Sequence, residues 1–174
     1  GFYCCKAAVI LGKGSFHITP QGEAVYQARY AWCGNYQEEV CVVRDYAGQY
    51  FHIDAQGAPL YAAKYAYAGD FKDHFAVVQR ADGQATHIDQ QGKYVHQQWY
   101  EQLDVFHKDF ARAKDTQGWL HITTAGKPLY SQRYQAVEPF YNGVAYVETL
   151  QGDHLLINEL GEQVRMIYSP PRDF

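Results

Sequence analysis

The chain has no long apolar run, no basic run and no leader-like start. Its longest purely apolar stretch is residues 7–11, far shorter than the roughly 20 residues that a membrane-spanning helix needs. No charged-then-apolar segment opens the chain, so we expect no signal peptide. Nineteen Asp and Glu residues outnumber 15 Lys and Arg residues, which argues against nucleic acid or an anionic membrane as the main partner. The length of 174 residues predicts a single domain, residues 1–174.

Cysteine is scarce, and its spacing indicates no metal site. The four cysteines contain no Cys-x-x-Cys pair and no zinc-like Cys/His spacing. Cys33 and Cys41 fall at positions where other repeats carry small apolar residues, so we expect both to be buried in the core. Cys4 and Cys5 lie near the start of the chain and should be accessible. Free buried thiols fit a reducing compartment, which predicts a cytoplasmic location. No nucleophile elbow or phosphate-binding loop is present, so we predict no catalytic residue and no cofactor.

What the chain does have is a phrase that recurs five times, about 35 residues apart. Its marker is His-Ile, and the five copies are His17-Ile18, His52-Ile53, His87-Ile88, His121-Ile122 and the degenerate Leu156-Ile157. A constant period of this length is the signature of a repeat architecture. It predicts five units, approximately residues 2–36, 36–71, 71–106, 106–140 and 140–174.

The sequence of each unit predicts a small-residue strand, a His-Ile strand with a turn after it, and a further strand. A strand with small residues two positions apart, such as Ala76 and Val78, precedes the His-Ile strand. A turn follows, in which Asp54 opens and Gly57 closes a four-residue segment; glycine there takes the positive φ of a bulged hairpin. The strand after this turn begins with proline in two units, which predicts an edge position.

The links between units carry an aromatic residue at a constant register, at Phe71, Phe106, Phe140 and the terminal Phe174. We interpret these residues as plugs between neighbouring units. No window shows a helical apolar period over three turns, so the chain is predicted to be all-β. Five β-meander repeats can close as a five-bladed propeller-like ring, which protects sheet edges, or form an open solenoid or superhelical stack. We slightly favour the ring.

These patterns resemble the bacterial WG-repeat (KWG) family of β-repeats, in a divergent His-Ile-Asp variant. The residues that carry the resemblance are Gly-Trp-Leu-His-Ile (118–122), Gly-Lys-Pro-Leu-Tyr (126–130) and Glu-Pro-Phe-Tyr-Asn-Gly (138–143). The resemblance covers essentially the whole chain and implies β-repeats with a binding role rather than a catalytic site. It also implies that such arrays accompany methyltransferase domains in longer proteins, here outside this fragment.

Two sets of residues are candidates for a ligand-binding site. The first is the ladder formed by His17, His52, His87 and His121. Equivalent positions in repeats line up, so the imidazoles can line a channel that binds a metal or an anion. The favoured interpretation is structural, with each histidine bonded inside its own repeat. The second set is a cluster that the repeat does not require, at Asp104, His107 and Arg112.

The sequence therefore supports two functions from different classes. The first is a non-catalytic interaction module that binds a protein partner or a small ligand through a face rich in Tyr and Trp. The alternative is a hydrolase or transferase with a His-containing central site. Neither the ligand nor the oligomeric state follows from the sequence.

Overall fold

The structure, a computed structural model, describes residues 1–171. All regular elements in this range are β-strands, and every strand pair is antiparallel, which confirms the all-β prediction. The predicted plug Phe174 lies outside the described residues. Two compact units divide the chain, Gly1–Tyr94 and Val95–Phe174. The division falls just after Gly92, inside the third repeat.

The first unit contains eight strands in three separate sheets. One sheet has two strands and the other two have three strands each. The strands are β1 (Ala7–Leu11) and β2 (Gly14–Ile18); β3 (Trp32–Cys33), β4 (Cys41–Arg44) and β5 (Tyr50–Ile53); and β6 (Tyr67–Ala68), β7 (Phe75–Gln79) and β8 (Ala85–Asp89). The three-stranded sheets recur with the period of the repeat, and each has the small-residue strand in its centre.

The described part of the second unit forms one seven-stranded sheet in the order β15-β14-β13-β12-β11-β10-β9. Its strands are β9 (Gln102–Leu103), β10 (Phe110–Asp115), β11 (Gly118–Thr123), β12 (Tyr134–Val137), β13 (Val144–Thr149), β14 (His154–Asn158) and β15 (Gln163–Tyr168). Its two halves, β9-β10-β11 and β12-β13-β14-β15, are joined by a single pair, Trp119 with Tyr134. None of the sheets seen in residues 1–171 closes on itself, and no helix in that range is long and apolar enough to cross a membrane.

Small residues on the central strands form the core with aromatic residues from the links. Cys41 and Val43 on β4 are almost completely buried beside Tyr30 and Tyr36 of the preceding link. Ala76 and Val78 on β7 are covered in the same way by Tyr65 and Phe71. Because the aromatic rings occupy the space between sheets, only a small side chain fits opposite them. This confirms that Cys33 and Cys41 are core residues, and burial raises the pKa of both thiols.

The turn after each His-Ile strand is the predicted bulged hairpin. Gly57 has φ of 86°, its N–H donates to Asp54 O, and the Asp54 carboxylate accepts the N–H groups of Gln56 and Ala58. The strand expected after this turn is not regular in the first four repeats, where it is reduced to one isolated bridge. Proline, which offers no N–H to continue the ladder, occupies this position at Pro59 and Pro128. The same single bridge forms at Ala24 and Tyr94, so proline is not the general cause. In the fifth repeat Gln163 stands at that position, and a full strand, β15, forms.

A second kind of turn was not predicted. A two-residue turn precedes every small-residue strand, and its flanking residues exchange two hydrogen bonds, as Gln37 and Val40 do at 2.8 and 2.9 Å. We call these the tip turns; their central pairs are Cys4-Cys5, Glu38-Glu39, Asp73-His74, Lys108-Asp109 and Asn142-Gly143. Positive φ at residues other than glycine, 51° at Glu38 and 62° at Glu39, marks the I′ geometry that matches the twist of antiparallel strands.

Candidate functional site

Three of the repeated histidines, His17, His52 and His121, share one pattern of two hydrogen bonds. His52 Nδ1 lies 2.6 Å from the Tyr61 hydroxyl, and its Nε2 lies 2.8 Å from the carbonyl oxygen of Gly69. A carbonyl can only accept, so Nε2 carries the proton and Nδ1 accepts from the tyrosine hydroxyl. The same arrangement recurs at His17 with Tyr26 and Gly34, and at His121 with Tyr130 and Glu138.

An aromatic ring covers each of these histidines. The link residue Tyr36 and the plug residues Phe71 and Phe140 lie with ring centroids 4.3–4.6 Å from His17, His52 and His121, respectively. Burial lowers the pKa of His52 and of His121 to about 4, and it also lowers the pKa of His17. These imidazoles are therefore neutral at pH 7, with both ring nitrogens engaged. They stabilise the repeat, and no nitrogen remains for a ligand.

The tyrosine partner could have been found from the sequence. Tyr26, Tyr61 and Tyr130 each follow their histidine by nine residues, and His96 stands at this position in the third repeat. His96 is buried, and burial lowers its pKa. His87, the remaining histidine of the ladder, is completely buried in the first unit. Among residues 1–171, no group of three or more His, Cys, Asp or Glu side chains is arranged to hold a metal ion.

The non-repeated candidates do come together. Arg112 lies 2.6 Å from the Asp104 carboxylate and donates to Val137 O at 3.1 Å. Asp104, His107 and Arg112 line one cavity together with His121. Its volume is about 20 Å³, which is room for about one water molecule. The predicted residues of the second unit thus share a cavity, but it is too small for a substrate.

Two larger cavities lie elsewhere in the second unit. One of about 310 Å³ is lined by Gln132, Arg133, Tyr134, Thr149, Gln151, Leu155, Ile157, Gly161 and Gln163. Another, of about 240 Å³, lies beside Trp119 and Gln117. The guanidinium of Arg133 is paired with Asp115 at 2.7 Å, so the polar lining of the larger cavity is mostly uncharged. The sequence carried no motif for either cavity, since their lining comes from residues that the repeat does not fix.

An exposed row of aromatic residues lies on the first unit. We call Trp32, Tyr50 and Tyr67 the aromatic strip. The ring centroids of Trp32 and Tyr50 are 6.3 Å apart, and those of Tyr50 and Tyr67 are 5.6 Å apart. Trp32 is 41% exposed and Tyr67 is 48% exposed. The Arg44 guanidinium lies 5.8 Å from the Tyr50 ring.

Strand pairing explains why this row forms. Trp32 is opposite Arg44, and Arg44 is opposite Tyr50, so the three side chains share one face of the β3-β4-β5 sheet. Their neighbours Cys33, Val43 and Phe51 alternate onto the other face and fill the core. The third repeat has Gln102 where Trp32 and Tyr67 stand, so the repeat itself does not require the aromatic residues.

Comparison with known proteins identifies the fold. No protein-family model matches the chain, and no curated protein matches it. Solved structures do match. The computationally designed Ika8 protein has a TM-score of 0.52 at 13% identity, over 88% of this chain and 55% of that one. BamB from Moraxella catarrhalis has 0.50 at 16%, over 93% and 57%. Hsv2p from Kluyveromyces lactis has 0.53 at 11%, over 89% and 58%.

BamB and Hsv2p are β-propeller proteins, so the repeats of this chain have a propeller-like fold. The chain spans a little over half the length of each of these structures. At such low identity the likeness concerns the fold alone.

Proposed function

We propose that this chain is a non-catalytic β-repeat module that binds a protein partner, and that the aromatic strip is its contact surface. The observation that carries the proposal is the exposure of Trp32 and Tyr67 on neighbouring repeats, with Arg44 beside them. Tryptophan, tyrosine and arginine are the residues most enriched among those that dominate binding energy at protein interfaces. Large rings with few rotatable bonds also lose little conformational entropy on binding.

The use of the ladder histidines supports a binding role over catalysis. A general acid or base needs a group that can exchange a proton near the operating pH and reach a substrate. His52 and His121 are neutral, buried and hydrogen-bonded at both nitrogens. The partner is a protein rather than nucleic acid or an anionic membrane, because the chain carries a net charge of −4.

The resemblance to WG-repeat proteins adds a finer proposal, that the module is accessory to a methyltransferase domain elsewhere in the same polypeptide. The complete reading frame tests this directly. A frame that encodes no such domain would remove the accessory role and leave the binding role intact.

A displayed random-peptide library, selected on the protein, tests the aromatic strip. Binding of the selected peptides is then measured by fluorescence polarisation for the wild type, for the double variant Trp32→Ser/Tyr67→Ser, and for Tyr46→Ser. Tyr46 is 63% exposed and lies outside the strip, so it serves as the matched control. We expect the double variant to bind about tenfold more weakly or worse, and the control to bind normally. Equal binding by all three proteins would exclude the strip.

The larger cavity of the second unit favours a second candidate, a small polar ligand. Its volume of about 310 Å³ is at the lower end of the range for ligand sites, and Gln132, Gln151 and Gln163 offer neutral donors and acceptors. A thermal-shift screen with sugars and metal ions separates the two classes. A rise in melting temperature with one specific sugar would favour this cavity, and a rise with a metal ion would revive the His-containing site.

A further inference from the structure

One tip turn in the first unit holds a carboxylate. The backbone N–H groups of Asp73 and His74 donate to the two carboxylate oxygens of Glu38 at 2.7 and 3.0 Å. Both residues have positive φ, 51° and 69°, which turns successive N–H groups outward on the same side. Two adjacent N–H groups in such a turn form a concave anion-binding nest. The Glu38 side chain comes from the tip turn of the preceding repeat, so one turn caps the next.

The same position in the second unit carries the opposite charge. Lys108 is the first central residue of its tip turn, as Glu38 is of its own, and the following tip turn has Asn142 and Gly143 at its centre. Asn142 and Gly143 have φ of 49° and 78°, so this turn has the nest geometry of Asp73 and His74. The rings of His107 and Tyr141, which open the two turns, lie 5.4 Å apart, so the turns are neighbours.

No carboxylate caps this second nest within residues 1–171. The hydrogen bonds of the turn join Tyr141 and Val144, and the N–H groups of Asn142 and Gly143 have no partner in the described part of the protein. Lys108 and Asn142 are exposed, and Lys108 makes no ion pair with any described residue.

The charged side chains near the turn pair with one another and leave the Lys108 ammonium group available to a ligand. Arg112 and Asp104 neutralise each other at 2.6 Å, and Glu138 lies 3.9 Å from the same guanidinium. Asp109, the residue after Lys108, carries an exposed carboxylate on the same turn. Its presence limits the affinity for an anion.

We propose that Lys108 and the backbone N–H groups of Asn142 and Gly143 form a binding site for a carboxylate of a partner protein, either an acidic side chain or a chain terminus. The carboxylate would occupy the position that Glu38 takes over Asp73 and His74. Two N–H donors and one ammonium group bind it through charge-assisted hydrogen bonds. The site lies in the second unit and does not depend on the aromatic strip.

Amide chemical shifts measured by NMR on the ¹⁵N-labelled protein test the site. The probes are a short acetylated peptide that contains Glu, the same peptide with Gln in its place, and inorganic phosphate. We expect saturable shifts at Asn142 and Gly143 with the Glu peptide and none with the Gln peptide. If phosphate binds more tightly than the Glu peptide, the nest is a phosphate site, and the proposal of a carboxylate partner is wrong.

Substitutions that exchange the charges of residues 38 and 108 give each tip turn the character of the other. Lys108→Glu installs the internal cap seen at Glu38, so it should abolish the shifts at Asn142 and Gly143. Lys108→Gln removes the charge alone and should weaken binding by about two- to fivefold, as expected for an exposed ion pair. In the converse variant, Glu38→Lys, the nest at Asp73 and His74 should acquire the same response. Shifts at Asn142 and Gly143 that survive in Lys108→Glu, or that are absent in the wild type, would overturn the proposal.

Discussion

At the scale of single residues, the His-Tyr pair is the device that defines the repeat. The tyrosine hydroxyl donates to His Nδ1, and in the fourth repeat the hydroxyl of Tyr130 also accepts the backbone N–H of His121 at 3.2 Å. The imidazole then donates from Nε2 to a carbonyl of the next link. The pair thus satisfies the buried backbone N–H of His121 and the carbonyl of Glu138, and the two side chains satisfy each other. Such a pair is worth more as a unit than its separate bonds suggest.

The buried histidines should make the protein sensitive to mild acid. In the folded state the pKa of His52 and His121 is about 4, against 6.5 for an exposed histidine. The unfolded chain therefore binds more protons between these values, so the free energy of unfolding falls as the pH drops below about 6.5. We expect a loss of about 1–2 kcal/mol for each histidine by pH 5, and a plateau above pH 7.

Urea unfolding measured across this pH range checks the effect. The variant His52→Phe should be less stable at pH 7 and should show a shallower dependence on pH, because one titrating group is gone. Tyr46→Phe is the control and should keep the slope of the wild type. A free energy of unfolding that stays constant from pH 7.5 to pH 5 would mean that these histidines are accessible in the folded state.

At the scale of elements, the turn glycines are needed for packing as well as for the positive φ of the turn. A Cβ atom built on Gly57 would lie 2.3 Å from the ring of Tyr26, and one on Gly161 would lie 2.6 Å from Cβ of Tyr130. Each glycine thus packs against the ring that holds the preceding histidine. The turn and the His-Tyr pair of neighbouring repeats are one packed structure, which the constant spacing of the glycines along the sequence reflects.

Gly22 and Gly57 separate the two roles of glycine. Their φ angles are 84° and 86°, but a Cβ on Gly22 would meet nothing within 4 Å. Gly22→Ala should therefore cost only the strain of positive φ, about 1–2 kcal/mol. Gly57→Ala should cost about 2–4 kcal/mol, because the methyl group also displaces Tyr26. Thermal unfolding of the two variants measures the difference, and equal melting temperatures would show that the ring of Tyr26 moves aside freely.

The tip turns show where prediction from sequence stops. Only Asn142-Gly143 has the residue pair that signals an I′ turn, whereas Cys4-Cys5 and Glu38-Glu39 have residues that ordinarily avoid positive φ. The strands on both sides impose the geometry, so tertiary pairing overrides local preference. The sequence predicted a face rich in Tyr and Trp, but it did not identify the members of the aromatic strip for a similar reason. Its members come from different strands, and only the strand register brings Trp32 beside Tyr50.

At the scale of the whole chain, most of what the sequence predicted about the fold came from its period of about 35 residues. Equivalent positions in a repeat must meet equivalent surroundings, so the His, Gly and small-residue columns could be assigned without coordinates. The residues that differ between repeats were harder. Asp104, His107 and Arg112 line one cavity, whose size depends on the packing of Phe140 and Val105 around them. Periodicity contains no information of that kind.

The shared core between repeats predicts how the first unit opens. Cys33 and Cys41 belong to one cluster with Tyr30, Tyr36 and Phe51, so neither thiol can be exposed unless that cluster opens. We expect both to react with a thiol reagent at the same slow rate, and this rate should rise with urea. Cys4 and Cys5 are exposed and should react at once. Mass spectrometry of the labelled protein resolves the four sites. Fast labelling of Cys41 without urea would show that the second repeat opens independently of its neighbour.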